Sequence, residues 1–408
     1  MNKNINLGFS LERNNHFSLR FSYKKHSTQK SFNRKYKRIE KTETDSSYDH
    51  FRRTLNANNI GVNEIIKNDD DIGVELTQFS YNSIDEIEVI LRKAERESSI
   101  NENVIYNYKI ANLKVIENFD NAFYEDSIQI YKRKPKKGFS SNTSLKVRPF
   151  IASREGFLKA SILLENDFEY RFTDNFFLTT NLKYSLWDNF DDLTIPPKDI
   201  FPAQVRSDVK DYLKNFNNSI IIGRTQFDYY ITPQKNNHLM VTAGILEEMF
   251  SGIGFEYLHA DLTKDFAYGF ELFEVFKRDY DFGLGLLDYK NTYGHFNFYY
   301  KNNSMTPFDL KLSLGKYLAG DKGSTFQISR TFKNGIKFGA FATFTDVSSE
   351  EFGEGSFDKG IFFDIPIIGN SLSSFLWRPL TKDPGAKLNR KNSLYDLINK
   401  FDAANYWF

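Results

Sequence analysis

Glu247, Glu248, Glu256 and Glu271 are the residues whose type and spacing come nearest to chemistry. Paired carboxylates can do general acid and base work on a sugar. Neighbours on a strand point to opposite faces, so Glu247 and Glu248 line one cleft only if a turn intervenes. Ser251 and Gly252 follow closely and make a turn there reasonable. The competing reading is that these carboxylates are charges on a lumen wall or its rims. Arg224, Gln226, Asp228 and Tyr230 share the polar side of one alternating run, opposite Ile221, Phe227, Tyr229 and Ile231, with Gly223 and Thr225 between. They read as a polar wall, or as a track for a hydroxyl-rich polymer. Other chemistry is missing. His16, His26, His50, His238, His259 and His295 include no pair at helical metal-ligand spacing. No nucleophile elbow, phosphate loop or paired-Cys site is present. Gly315, Gly320 and Gly323 punctuate strand ends. The acidic run Asp69, Asp70, Asp71 lacks the ligand spacing of a calcium loop and reads as a solvated turn. No cofactor, metal or catalytic residue is expected.

The elements that carry these residues announce themselves through aromatics. The 408 residues include 41 Phe, 23 Tyr and 3 Trp, many at every second position of short runs. From Phe176 to Trp187, Leu178, Thr180, Leu182, Tyr184 and Leu186 fall on one face; Thr179, Asn181, Lys183 and Ser185 fall on the other. Phe296, Phe298 and Tyr300 oppose His295, Asn297 and Lys301. A period of two makes each run a strand with one apolar and one polar face. Repeated at about ten residues per run with turns between, it predicts a transmembrane β-barrel. Thirteen strands are expected near 145–151, 156–172, 175–188, 218–232, 237–248, 251–261, 265–278, 291–302, 307–315, 323–332, 335–347, 358–366 and 371–380. They should form one antiparallel sheet of about a dozen strands over 145–380, an incomplete or half barrel. Phe266, Tyr268, Phe270, Leu272 and Phe276 should face outward, and Gly269, Glu271 and Lys277 inward. Glu274 falls on the apolar side, so it should lie near an interface or mark a register break. Ionised groups do not sit unpaired in lipid. Arg206, Asp208, Glu247, Glu256, Arg278, Glu354, Asp358 and Arg378 should therefore gather at the lumen or its rims with Arg224 and Asp228, meeting each other or a glycan.

The remaining segments differ in character. Residues 1–24 alternate as a barrel hairpin, and 25–44 and 132–144 are basic linkers. Residues 45–131 read as a hydrophilic α+β domain. It would have helices at Ser46–Asn56 and from Ser83, strands at 60–66, 74–79 and 106–117, and a helical stretch over Asp120–Tyr131. A further helix is expected at Ser207–Asn215. Net charge is +1, which gives no field for nucleic acid, and no apolar run approaches the length of a transmembrane helix. Cys is absent, which excludes disulfides and a lipidated N-terminal Cys in this chain. Residues 1–7 lack the apolar core and cleavage site of a secretory signal. A barrel protein opening in mid-hairpin reads as an incomplete product, from a split gene or a mis-called start. Tyr406 and Phe408 resemble the terminal aromatics of outer-membrane barrels and would act as an assembly address.

Several longer stretches go beyond composition: Val241 to Leu258, Gly315 to Thr325, Gly339 to Val347, Phe352 to Ile361, Trp377 to Gly385 and Leu394 to Leu397, with Pro202 to Val209 between strands. Together they resemble the YjbH family of exopolysaccharide-biosynthesis proteins over roughly residues 140–400. The resemblance implies a non-enzymatic outer-membrane barrel in a Gram-negative bacterium. It would serve as conduit or scaffold in production or export of an exopolysaccharide or capsule. The 45–131 module then corresponds to the family's periplasmic insert. Implied partners are outer-membrane lipid, the surface polysaccharide, and other periplasmic and outer-membrane proteins of the export system. Family members carry more strands than this chain, so a partner polypeptide or an upstream frame would supply the rest. The rival readings are a general diffusion porin, an outer-membrane glycan- or lipid-modifying enzyme, and a soluble carbohydrate-binding protein.

Overall fold

The computed structural model describes residues 5–12, 16–23, 36–69, 71–78, 84–110, 113–134, 138–153, 156–194, 204–217, 220–261, 264–302, 307–332, 336–352, 356–367, 371–378 and 383–399. Residues 1–40 and 41–408 form two units. In the first, β1 (Ile5–Glu12) and β2 (His16–Tyr23) pair as an antiparallel hairpin, Ile5 opposite Tyr23. The terminal aromatics Tyr406 and Phe408, and the capping role expected of Ser83, lie outside the described residues.

The second unit begins with a five-stranded sheet. Its elements are α1 (Ser47–Ala57), β3 (Ile60–Asn68), β4 (Asp71–Gln78), α2 (Ile84–Ser98), β5 (Asn103–Ile110), β6 (Leu113–Ile116), α3 (Asn121–Glu125) and β7 (Ile128–Lys132). The strand order is β6-β5-β4-β3-β7. Only β4 and β5 run parallel, joined through α2, because a parallel pair needs a crossover. Ser46 starts α1 by accepting the Asp49 amide at 3.1 Å, which satisfies one of the helix's free donors. Phe51, Leu55, Ile65, Val74, Leu76, Ile87, Leu91 and Ala94 are buried in the core. His50 Nδ1 meets Ser98 Oγ at 2.9 Å and ties α1 to α2. Two expectations need correction. The helix expected over Asp120–Tyr131 is only α3, and Ile128–Lys132 is a strand on the edge of β3. The strand expected over 106–117 is two, β5 and β6.

One interaction here sets a pH dependence. Tyr48 and Lys67 both donate to the Glu102 carboxylate, at 2.8 and 3.0 Å, and hold its pKa down to about 2. A depressed carboxylate stabilises the fold above its unfolded value of 4.5. That contribution falls away as pH drops through about 2. Protection factors for amide hydrogen exchange across α1 and β3, corrected for the intrinsic pH dependence of exchange, should therefore fall as pH drops through that window, and Glu102→Gln should flatten the acid dependence. An unchanged acid profile in the variant would remove Glu102 from this role.

Thirteen strands follow: β8 (Gly138–Ser153), β9 (Gly156–Arg171), β10 (Phe176–Asp188), β11 (Ile220–Gln234), β12 (Asn237–Ile245), β13 (Phe250–Ala260), β14 (Phe266–Arg278), β15 (Leu286–Asn302), β16 (Phe308–Lys316), β17 (Lys322–Thr331), β18 (Lys337–Thr345), β19 (Asp358–Ile367) and β20 (Ser371–Trp377). Each pairs antiparallel with the next in a single meander. The sheet is open, since β8 and β20 do not pair among the described residues. Helix α4 (Val209–Lys214) lies between β10 and β11, α5 (Ser349–Phe352) between β18 and β19, and α6 (Leu394–Asn399) follows β20.

The two faces differ sharply. One carries exposed Phe266, Tyr268, Phe270 and Leu272 on β14, and exposed Phe296, Phe298 and Tyr300 on β15. Phe326, Ile328, Phe338 and Phe344 extend it over β17 and β18. The other face carries buried Gly269 and Lys277, half-buried Glu271, and buried His295 and Asn297. Glu274, on the apolar face, accepts from Thr292 at 2.8 Å, and the register breaks just beyond it, between Phe276 and Arg278. The alternation fails in an instructive way on β11. Ile221 is buried, whereas Phe227 and Tyr229 are exposed. A bulge opposite Asn181 and Leu182 leaves Gly223 unpaired and switches the face of everything before it. A Cβ there would lie 2.3 Å from Asn181 Oδ1, so that side chain would have to shift to admit one.

Candidate functional site

Two stretches of the chain lie across the polar face and bury its middle. The first, 204–217, contains α4; the second, 383–399, follows β20 and ends in α6. Asp383 Oδ1 fastens them to each other, accepting the amides of Val205, Arg206 and Ser207 at 2.8, 2.7 and 2.9 Å. Apolar side chains from both are buried beneath: Val205, Tyr212, Leu213 and Phe216 from the first, Ala386, Leu388, Leu394 and Ile398 from the second. Each stretch therefore contributes apolar burial and must also satisfy the polar groups it covers.

It does so with ion pairs. Arg390 reaches both Glu256, at 2.6 Å, and Glu271, with its guanidinium 4.5 Å from the centre of the Phe273 ring. That ring lies flat over Gly254, where a Cβ would come within 2.0 Å of it. Burial opposes the Arg390 charge, yet Glu256 and Glu271 outweigh it and raise its pKa above the ordinary range. The amide of Leu394 also donates to Glu256, at 3.2 Å. Tyr395 stacks on Tyr299 with centroids 3.6 Å apart. In the first stretch, Arg206 pairs with Glu247 at 2.7 Å and donates to the Lys387 carbonyl at 2.7 Å. Lys277 pairs with Asp208 at 2.7 Å, and both side chains are almost fully buried.

The sequence-selected residues can now be placed. Glu247 and Glu248 sit in the turn between β12 and β13, and both reach the covered side. Glu248 takes Arg148 at 2.7 Å and Lys183 at 2.8 Å, which hold its carboxyl far below the usual range despite burial. Arg224 donates to the carbonyls of Leu246 and Asn389, at 2.8 and 3.0 Å. Asp228 is fully buried, taking Gln226 at 2.8 Å and Thr242 at 2.6 Å. Among the described residues Arg278 pairs with no carboxylate; its guanidinium donates to the carbonyls of Ile222, Glu247, Glu248, Phe282 and Gly283. Arg378 and Asp358 pair at 3.5 Å near β20. Glu354 lies outside the described residues. Arg206, Asp208, Arg224, Glu247, Glu256 and Arg278 thus meet the two covering stretches or the groups beneath them, Asp228 is held within the sheet by Gln226 and Thr242, and Asp358 and Arg378 form a separate pair. Among the described residues, no group of three or more His, Cys, Asp or Glu could hold a metal. The carboxylates first considered for acid–base work are each engaged by a cation.

Sequence reasoning missed Arg390, Tyr212 and Asp383, and set Lys277 inward without its partner Asp208. The basic run Lys387 to Lys391 was a visible signal for the first, but nothing local linked it to Glu256 and Glu271.

A family model described as "Exopolysaccharide biosynthesis protein YbjH" matches residues 89–400, most of the chain. The chain belongs to the YjbH family. The match starts within α2 and runs past α6, so it takes in the whole large sheet and both covering stretches. The Escherichia coli K12 protein named "Uncharacterized lipoprotein YjbH" is 34% identical over 238 residues. That alignment covers 56% of this chain and 34% of the relative, so the chain spans about a third of the relative's length. The family model's description ties the family to exopolysaccharide biosynthesis.

Proposed function

We propose that this chain is a membrane-spanning portion of an outer-membrane β-barrel that serves exopolysaccharide production or export without catalysing a reaction. The observation that carries the reading is the division of the thirteen-stranded sheet. One face exposes aromatic and aliphatic side chains across many neighbouring strands, and the opposite face holds the charged network. An apolar face this extended belongs against lipid, since soluble monomers rarely leave large apolar patches in water. A hollow on that face is walled largely by Phe266, Tyr268, Phe298, Tyr300, Phe326 and Ile328, a lining for hydrocarbon rather than for catalysis. Most of the strands are nine or more residues long, enough for a tilted span of the hydrocarbon core.

The lipoprotein name of the relative supports an envelope location. The 45–131 module would then lie on the periplasmic side and meet other proteins of the export system. Engagement of Glu247, Glu248, Glu256 and Glu271 by cations supports a non-enzymatic role. Coverage of the polar face by 204–217 and 383–399 favours a regulated conduit or a scaffold over a freely open diffusion porin. Deleting the gene should lower secreted polysaccharide in the producing strain, and complementation should restore it. The chain should partition into outer-membrane fractions and show heat-modifiable gel mobility. Unchanged secretion, or recovery in the soluble fraction, would overturn the proposal.

A further inference from the structure

Lys311, Lys337 and Lys387 differ from the other cations of the covered face. Lys183, Arg206, Lys277 and Arg390 each rest on a carboxylate. Among the described residues these three lysines form no ion pair. Each sits instead near an aromatic ring: Lys311 Nζ lies 5.2 Å from the Tyr299 centroid, Lys337 Nζ 5.9 Å from Phe362, and Lys387 Nζ 6.0 Å from Tyr317. Arg378 joins them, 5.2 Å from the Phe341 ring, though it also pairs with Asp358.

Strand register explains how these groups assemble. Tyr299 pairs with Lys311, Lys311 with Gln327, Gln327 with Phe341, and Phe341 with Gly360. Since Ile361 pairs with Trp377, the row ends beside Arg378. Side chains of one register row share a face. The row from β16 to β20 spans four strand spacings, about 19 Å. Beside it runs a second row of hydroxyls and amides. Ser313 donates to Asn297 at 2.7 Å, and Thr325 and Thr343 share a hydrogen bond at 2.9 Å. Phe341, Phe362, Lys311 and Gln327 are all partly open to solvent, and Leu376 is 59% exposed on this same face. The middle of the sheet is closed over by ion pairs; this flank is open and aromatic, and its lysines share the face with Asp309, Asp358 and Asp364.

We propose that the polar face of β16 to β20 binds a glycan chain bearing carboxylates, with Lys311, Lys337, Lys387 and Arg378 meeting the charges and Phe341 stacking on a sugar ring. The anions of the polymer would supply direct ion pairs to lysines that Glu271 and Asp358 reach only at longer range. Burial, and then Lys311 and Arg378 nearby, bring the Lys387 pKa down to about 7, so an anion there would restore its charge. Neutral glycans would gain the stacking but not the charge pairing. A scaffold for neutral polymer would have no use for unpaired lysines, which resist desolvation. The site rests on the export reading only for the source of its polymer.

The test uses the full chain folded in detergent micelles, with calorimetric titration of alginate oligosaccharides, size-matched dextran oligosaccharides and poly-glutamate. Alginate should bind at least about tenfold more tightly than dextran, with an affinity that falls steeply as salt screens the charges. The Lys311→Gln/Lys337→Gln variant should lose roughly tenfold for alginate and keep its dextran affinity, and an Arg pair at the same positions should restore binding. Phe341→Ala should weaken alginate without changing poly-glutamate. Equal binding of alginate and dextran would overturn the site. So would poly-glutamate binding as tightly as alginate, which would mark a protein-binding or nonspecific anion surface. The wild-type comparison decides the matter even for a variant that fails to fold. A protein selective for alginate whose deletion leaves secretion intact would sink the export reading and leave this site standing.

Discussion

Arg390→Ala should destabilise the folded chain by about 3–5 kcal/mol, the usual loss when one member of a buried ion pair is removed. The guanidinium faces Glu256 and Glu271 together, so its removal takes the paired cation from both, leaving Glu271 with Tyr293 and His295 as its hydrogen-bond partners. The amide of Leu394 alone remains on Glu256. The 383–399 stretch should lift from the sheet, and Tyr395 should leave Tyr299. Urea unfolding in micelles measures the first effect, and protease sensitivity near Lys391 measures the second. Neutralising both carboxylates in the same chain (Glu256→Gln, Glu271→Gln, Arg390→Met) should recover most of the lost stability. A single Arg390→Ala variant that unfolds at the wild-type midpoint would show that the stretch is held by apolar contacts alone.

Leu272→Arg should cost about 2–4 kcal/mol in a bilayer, the range for a cation placed near the midplane of a barrel's lipid-facing side. Leu272 lies mid-strand and is 54% exposed on the apolar face. In water the same change would be close to neutral, since an exposed Leu gains little from its neighbours. The comparison therefore discriminates: folding yield in lipid vesicles should collapse for Leu272→Arg and stay high for Gln327→Arg at a partly open position on the opposite face. Equal yields for the two would leave the apolar face without a lipid partner.

How much of this was legible beforehand depended on whether the determining contact was local. The strands were, because alternation is written into each run. Phe296, Phe298 and Tyr300 opposing His295 and Asn297 needs no knowledge of the partner strands. The bulge at Gly223 was not, because it is set by register against Asn181 on another strand, and so the side taken by Ile221 was misread. Ile128 to Lys132 was read with the helix before it, although Ile128 and Ile130 alternate and β3 supplies the pairing edge. For the candidate site, the carboxylates were found because ionised groups stand out in an apolar pattern. Their partners were not found, because Arg390 acts at a distance of more than a hundred residues, 134 from Glu256. The resemblance to the family was carried by ordered stretches, but it said nothing of which side chain meets which.

That sequence distance carries a kinetic consequence. Each strand of the meander pairs with its immediate neighbour in sequence, so sheet formation closes only short loops. The contacts of 383–399 close the longest ones and have the least reason to exist in the rate-limiting species. Weakening them should then leave the rate of folding nearly untouched and speed the reverse reaction. The stretch would act as a brake on disassembly, setting how long the finished molecule survives rather than how fast it is made.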